Sequence, residues 1–153
     1  MAVNRDVDAA ELADPGSVSA ELADHLSRLI GQLAPAAAPM TADDVRRIVQ
    51  SPATRLVLAR DATTGRLIGM LTLVVVPLTT GIVSRIEDVV VDESERGRGV
   101  GEALLRVAVI LARESQAGFI ELTSRPAREA ANRLYERFGF VRRETNVYRL
   151  VVA

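Results

Sequence analysis

Residues 89–105 read Val-Val-Val-Asp-Glu-Ser-Glu-Arg-Gly-Arg-Gly-Val-Gly-Glu-Ala-Leu-Leu, a β-branched strand that runs into a glycine-punctuated turn and leaves it as an apolar helix. No other segment constrains the fold as tightly. Gly97, Gly99 and Gly101 alternate, and residues without Cβ let backbone N–H groups converge on an anion at the positive end of the following helix. Arg96 and Arg98 add charge, so the turn suits a pyrophosphate. The helix, with Ala103, Leu104, Val107, Ala108 and Leu111, is apolar around most of its circumference and should pack on a sheet. A strand at 118–122 follows, which makes the unit a crossover with parallel strands.

Three readings of the turn compete. A nucleotide P-loop ends in Gly-Lys-Ser/Thr, and this chain has no Lys, since all 19 of its basic residues are Arg. A dinucleotide site needs G-x-G-x-x-G, and counted from Gly97 the third glycine falls on Glu102; Glu121, near where a ribose-binding acid would stand, keeps that reading open. The third reading gives the glycines to turn geometry alone. Composition narrows the chemistry further. Without Cys there are no thiol nucleophiles, thiolate metal sites or disulfides, and without Lys there is no Schiff base. A single histidine, His25, excludes paired-histidine metal motifs, so no metal is expected.

The 153-residue chain fits one domain, 1–153, of mixed α/β type. Leu22, Leu26, Leu29, Ile30 and Leu33 recur at helical spacing, with Ser17 or Ser19 as the cap. Prolines 35 and 39 close that helix, and a second begins at Thr41, with Asp43 and Asp44 at its positive end, and stops before Pro52. Strand patterns at 55–60, 67–76 and 82–91, joined by short turns, predict an antiparallel meander. Beyond the crossover come a helix over 126–138 and two strands, 140–143 and 147–152. Residues 1–15 carry acids where an export signal needs basic and apolar stretches, and the longest apolar run, 67–78, is too short and too broken to span a membrane. The expected location is cytoplasmic.

Arg96-Gly97-Arg98-Gly99-Val100-Gly101 resembles the R/Q-x-x-G-x-G/A loop of the GNAT superfamily of acyl-CoA-dependent N-acetyltransferases, and Leu134-Tyr135-Glu136-Arg137-Phe138-Gly139-Phe140 resembles the L-Y-x-x-x-G-F segment that closes the family's last helix. By motif the resemblance covers residues 82–152. It implies a mostly antiparallel central sheet flanked by helices, with strands 4 and 5 parallel and splayed, and acetyl-CoA as co-substrate. The fourth strand's Val89, Val90 and Val91 then pair with pantetheine and 118–123 lines the splay. Where many members carry Asn, seven residues before the tyrosine, this chain has Arg128, with Asn132 three before it; both are expected near the cofactor.

Acetylation of an amine needs an exit for the ammonium proton, help at the thioester carbonyl and a proton for the departing thiolate. Glu87 and Asp88 are adjacent acids on the cleft strand, and simple alternation sends them to opposite faces unless a bulge intervenes. The Ile86-Glu87-Asp88 triplet is similar to one in glucosamine-phosphate acetyltransferases. Tyr135, whose phenol is ordinarily protonated near neutrality, can reprotonate a thiolate; otherwise it is one of a packed group with Phe138 and Phe140. His25 reads as a flanking structural residue. Arg125, Arg128, Arg133, Arg137, Arg142 and Arg143 are interleaved with Glu129, Glu136 and Glu144, a solvated face rather than a nucleic-acid surface, consistent with a net charge of −1. The expected reaction is direct attack of a primary amine, on a small molecule or a peptide, in a ternary complex, with a homodimer left open and no membrane partner. The rival is a catalytically silent acyl-CoA-binding or sensing module.

Overall fold

A computed structural model describes residues 6–152. Two compact units divide at Thr123/Ser124. The first holds β1 (Val7–Glu11), α1 (Ala20–Leu33), α2 (Ala42–Gln50), β2 (Thr54–Asp61), β3 (Leu67–Leu78), β4 (Gly81–Val91), α3 (Val100–Glu114) and β5 (Ile120–Glu121). The second holds α4 (Glu129–Phe138).

Local chemistry sets the helix starts. Ser19 accepts the Leu22 amide and caps α1, whose Leu22, Ala23, Leu26 and Leu29 are buried at helical spacing. Thr41 and Asp44 form a reciprocal capping box on α2. The strands form one sheet in the order β1-β2-β3-β4-β5, antiparallel except for the parallel pair β4–β5, as the meander and crossover predicted. Helices cover both sides. On β2, Leu56 and Leu58 join Leu26, Leu29, Val45, Met70 and Val90 in one cluster, while Val57 and Ala59 alternate to the opposite side. Burying each of these leucines contributes roughly 1.5–3 kcal/mol.

α3 lies against β1, β2 and β3, and its approach depends on Gly69. A Cβ there would stand 2.9 Å from Val100 Cγ1, 3.1 Å from the Val90 carbonyl oxygen and 3.3 Å from Leu104 Cδ1. The missing side chain therefore lets the first turn of α3 sit on the sheet.

Five elements differ from the sequence expectation. β1 had no clear pattern, because only Val7 of its five residues is buried and Asp8 and Glu11 interrupt it; its antiparallel register with β2, Val7 to Asp61 through Glu11 to Val57, makes it an edge. It supplies the extra strand that makes 81–91 the fourth. β5 is two residues rather than 118–122, and α4 begins at Glu129 rather than 126. The expected strands at 140–143 and 147–152 do not form among the described residues, and Val141, Val147, Tyr148, Leu150, Val151 and Val152 are exposed. β-branched residues favour a strand only where a neighbouring strand pairs with them, and no ladder is formed here.

Candidate active site

β4 carries the first part of the site. Its ladder with β3 pairs Met70 with Val90 and Thr72 with Glu87, so that Leu71 alone opposes Asp88 and Val89. This is a β-bulge, and Asp88 absorbs it at φ 51°, a left-handed conformation that aspartate tolerates better than most residues. The bulge breaks the strict alternation. Ile86 and Val90 are buried, while Glu87 and Asp88 are both exposed. Two adjacent carboxylates thus reach solvent from one strand.

The same strand leaves a free flank. Its pairing with β5 is confined to Ser84–Ile120 and Arg85–Glu121, and among the described residues β4 continues through Val89, Val90 and Val91 with no β5 partner in register. Backbone groups on that flank are positioned to pair with an extended ligand. The exposed pair Arg85–Glu121, 3.8 Å apart, stands where the strands part.

The turn after β4 brings the strand to α3. Gly97 and Gly99 take φ 81° and 75°, and nothing lies within 4 Å of a Cβ built at Gly97. Gly99 is the cap residue of α3 and offers no side-chain acceptor, in contrast to the Ser19 and Thr41 caps of α1 and α2. The first amides of α3 thus have no capping side chain, at the positive end of a 15-residue helix. An anion would satisfy them. The chain therefore fits the pyrophosphate expected there. Val100 and Gly101 are buried, so their side of the turn is packed on the sheet.

The two loop arginines differ. Arg96 is exposed, with Glu93 near it at 3.7 Å. Arg98 donates to Asp61 Oδ2 at 2.9 Å and to Glu95, and Glu95 also accepts from Arg66. Arg66 lies 3.7 Å from Asp92. Asp92 and Glu95 are buried. Burial works to raise the Asp92 carboxyl, but the Ser94 hydroxyl and amide, with Arg66 and Arg28, outweigh it and hold it below the usual range. Asp61 is held at about 2, first by the Thr64 amide and then by Arg98 and the Thr64 hydroxyl. The sequence reading missed this network. Asp92 and Glu95 beside two arginines were a visible signal, whereas Asp61 and Arg66, on the β2–β3 hairpin, had none.

In the second unit, Gly139 at φ 110° ends α4, with the Gly139 and Phe140 amides both returning to the Tyr135 carbonyl at 3.1 and 2.9 Å. Tyr135 is buried, its ring edge-on to Phe140 at 5.9 Å, and Phe138 stands 6.2 Å from Phe140. Burial raises the Tyr135 phenol above its ordinary value, against the opposing pull of Arg128, and so keeps it protonated. Arg128 is exposed and immediately precedes α4. The Asn132 side-chain amide donates to the carbonyls of Arg125 and Pro126 at 3.1 and 3.4 Å, fixing the lead-in to the helix. Arg133 pairs with Glu129 on an exposed face. Among the described residues no helix is long and apolar enough to cross a membrane, and no cluster of metal-ligating side chains occurs.

β4 thus leaves a flank without a strand partner and runs through a glycine turn into a helix start that has no side-chain cap. The acetyltransferase (GNAT) family profile matches residues 24–140, and the chain belongs to that family. No curated protein matches it by sequence. Among solved structures, an acetyltransferase of Trypanosoma brucei is 27% identical, with a TM-score of 0.72 over 95% of this chain and 100% of that one. Two others share the fold at lower identity. An aminoglycoside acetyltransferase from an uncultured soil metagenomic sample, in complex with sisomicin, has a TM-score of 0.83 at 14% identity, covering 98% of each chain. Glucosamine-6-phosphate N-acetyltransferase from Arabidopsis thaliana has 0.77 at 16%, covering 94% of this chain and 97% of that one.

Proposed function

We propose that the protein is an N-acetyltransferase that moves acetyl from acetyl-CoA to a primary amine by direct attack in a ternary complex. The observation that carries the reading is the continuous run on one strand and turn: bulged carboxylates, then an unpaired strand flank, then left-handed glycines opening an uncapped helix. We read 1–153 as one acetyltransferase domain, since the family match runs through the Thr123 division.

In this reading the backbone of Val89, Val90 and Val91 pairs with the pantetheine amides, and the amides of Gly97, Arg98, Gly99, Val100 and Gly101 take the pyrophosphate, with Arg96 as the accessible counter-charge. Glu87 or Asp88 accepts the ammonium proton of the incoming amine, through water, so that the lone pair can form the new C–N bond. Collapse of the tetrahedral centre breaks the C–S bond, and Tyr135 donates its proton to the departing thiolate. Burial favours that role, because it keeps the phenol protonated. The family resemblance assigns Arg128 and Asn132 to the cofactor as well, Asn132 through the backbone carbonyl of Arg125 that it holds.

The acceptor is an amine of a small molecule or peptide, and neighbours that act on aminoglycosides and on glucosamine 6-phosphate are similar in fold. A thermal-shift screen of amines with CoA, followed by thiol release from acetyl-CoA, tests the reading. Turnover should depend on the amine. Binding of CoA with no amine-dependent release across the panel would favour a silent acyl-CoA module instead.

A further inference from the structure

We infer that Arg98 is a positioning residue of the pyrophosphate turn, whose guanidinium spans Asp61 of the β2–β3 hairpin and the buried Glu95 to hold the turn in shape, and that it does not itself contact the phosphates. The inference rests on the reading of that turn as the CoA site.

Between Gly97 and Gly99, both left-handed, Arg98 carries the one side chain. Glycine is the residue with the most backbone freedom to lose, so a turn made of it needs an external anchor to present converging amides. Arg98 supplies that anchor at both ends of the guanidinium: Nη2 reaches Asp61 Oδ2 at 2.9 Å, and Nη1 reaches Glu95 Oε2. The anchors are themselves fixed. Asp61 Oδ1 accepts the Thr63 and Thr64 amides and the Thr64 hydroxyl, at 3.1, 2.9 and 3.0 Å, and Glu95 Oε1 accepts Arg66. Two carboxylates hold the Arg98 guanidinium, whereas the Arg96 guanidinium has the exposed partner Glu93 at 3.7 Å and is itself exposed.

Asp61→Asn separates the roles, because it keeps the Oδ1 acceptor of the hairpin turn and replaces only the oxygen that meets Arg98. A positioning role predicts weaker acetyl-CoA binding by calorimetry, about ten-fold, in both Asp61→Asn and Arg98→Gln, and in Asp61→Asn a raised KM for acetyl-CoA with kcat kept. The double variant should be no weaker than the worse single one, because the two share one interaction. If Arg98 were instead a phosphate ligand, Asp61→Asn would loosen its hold on the hairpin and remove a negative charge from the site, and binding would tighten; that result overturns the inference. Equal affinity in all variants, with only the melting temperature lowered, shows a merely structural pair and also overturns it. Should Arg98→Gln fail to fold, Asp61→Asn alone still gives opposite signs for the two roles. A parent protein that binds no CoA removes the underlying reading and this inference with it, whereas a parent that binds while the variants bind equally leaves the reading standing and removes only the inference.

Discussion

Replacing Gly69 with Ala puts one methyl group between β3 and the start of α3. Its nearest neighbours would be Val100 Cγ1 at 2.9 Å, the Val90 carbonyl at 3.1 Å and Leu104 Cδ1 at 3.3 Å. The valine can turn only partly and the carbonyl belongs to a paired strand, so the helix must lift. Overpacking of this kind costs about 1–3 kcal/mol. Removing a strand glycine returns about 0.5–1 kcal/mol through the unfolded chain. The net loss is up to about 2.5 kcal/mol and centres on about 1 kcal/mol, or roughly 2–4 °C in Tm at that centre for a domain of this size. Urea unfolding should show a lower midpoint with an unchanged slope. Because Val100 directly follows Gly99, the same displacement should raise the KM for acetyl-CoA several-fold. A Gly69→Ala protein more stable than the parent would refute the close approach of α3 to the sheet.

Tyr135→Phe keeps the edge-on packing with Phe140 and removes only the hydroxyl; kcat should fall roughly ten-fold or more with acetyl-CoA affinity kept, measured where chemistry limits turnover. An unchanged kcat leaves the ring a packing role alone. Of Glu87→Gln and Asp88→Asn, at least one should lower kcat by about 10²- to 10⁴-fold, read across about pH 6 to 9, and full activity in both removes the strand carboxylates as the base. Because Asp61 titrates at about 2 in the folded protein against 3.8 ordinarily, its contribution to stability is present above pH 3.8 and is lost as the pH falls toward 2. Asp61→Asn should flatten that part of the acid limb in urea midpoints, and an identical limb would show that the hairpin carboxylate carries no such linkage.

Much of this was legible in the chain because its signals are local. The capping chemistry of Thr41 and Asp44, the leucine spacing of α1 and the glycine turn before α3 each act within a few residues, and each appears where the pattern placed it. What could not be read depends on partners distant in sequence. β1 is an edge strand with one buried residue, and nothing in five residues announces its pairing with β2. The bulge that brings Glu87 and Asp88 out together is a property of the β3–β4 register. The contact between Arg98 and Asp61 spans 37 residues, so nothing beside the turn announces it. The apolar 147–152 shows the converse, a strand pattern without a ladder.

The central claim is that the amides around Gly99 hold the pyrophosphate of acetyl-CoA. Gly99→Glu, checked for an unchanged circular dichroism spectrum, places a carboxylate at the helix start and a Cβ at φ 75°, where both oppose the anion's approach. Calorimetry should show the parent binding acetyl-CoA and Gly99→Glu binding it at least about ten-fold more weakly. Equal affinity in a folded Gly99→Glu protein would contradict the placement.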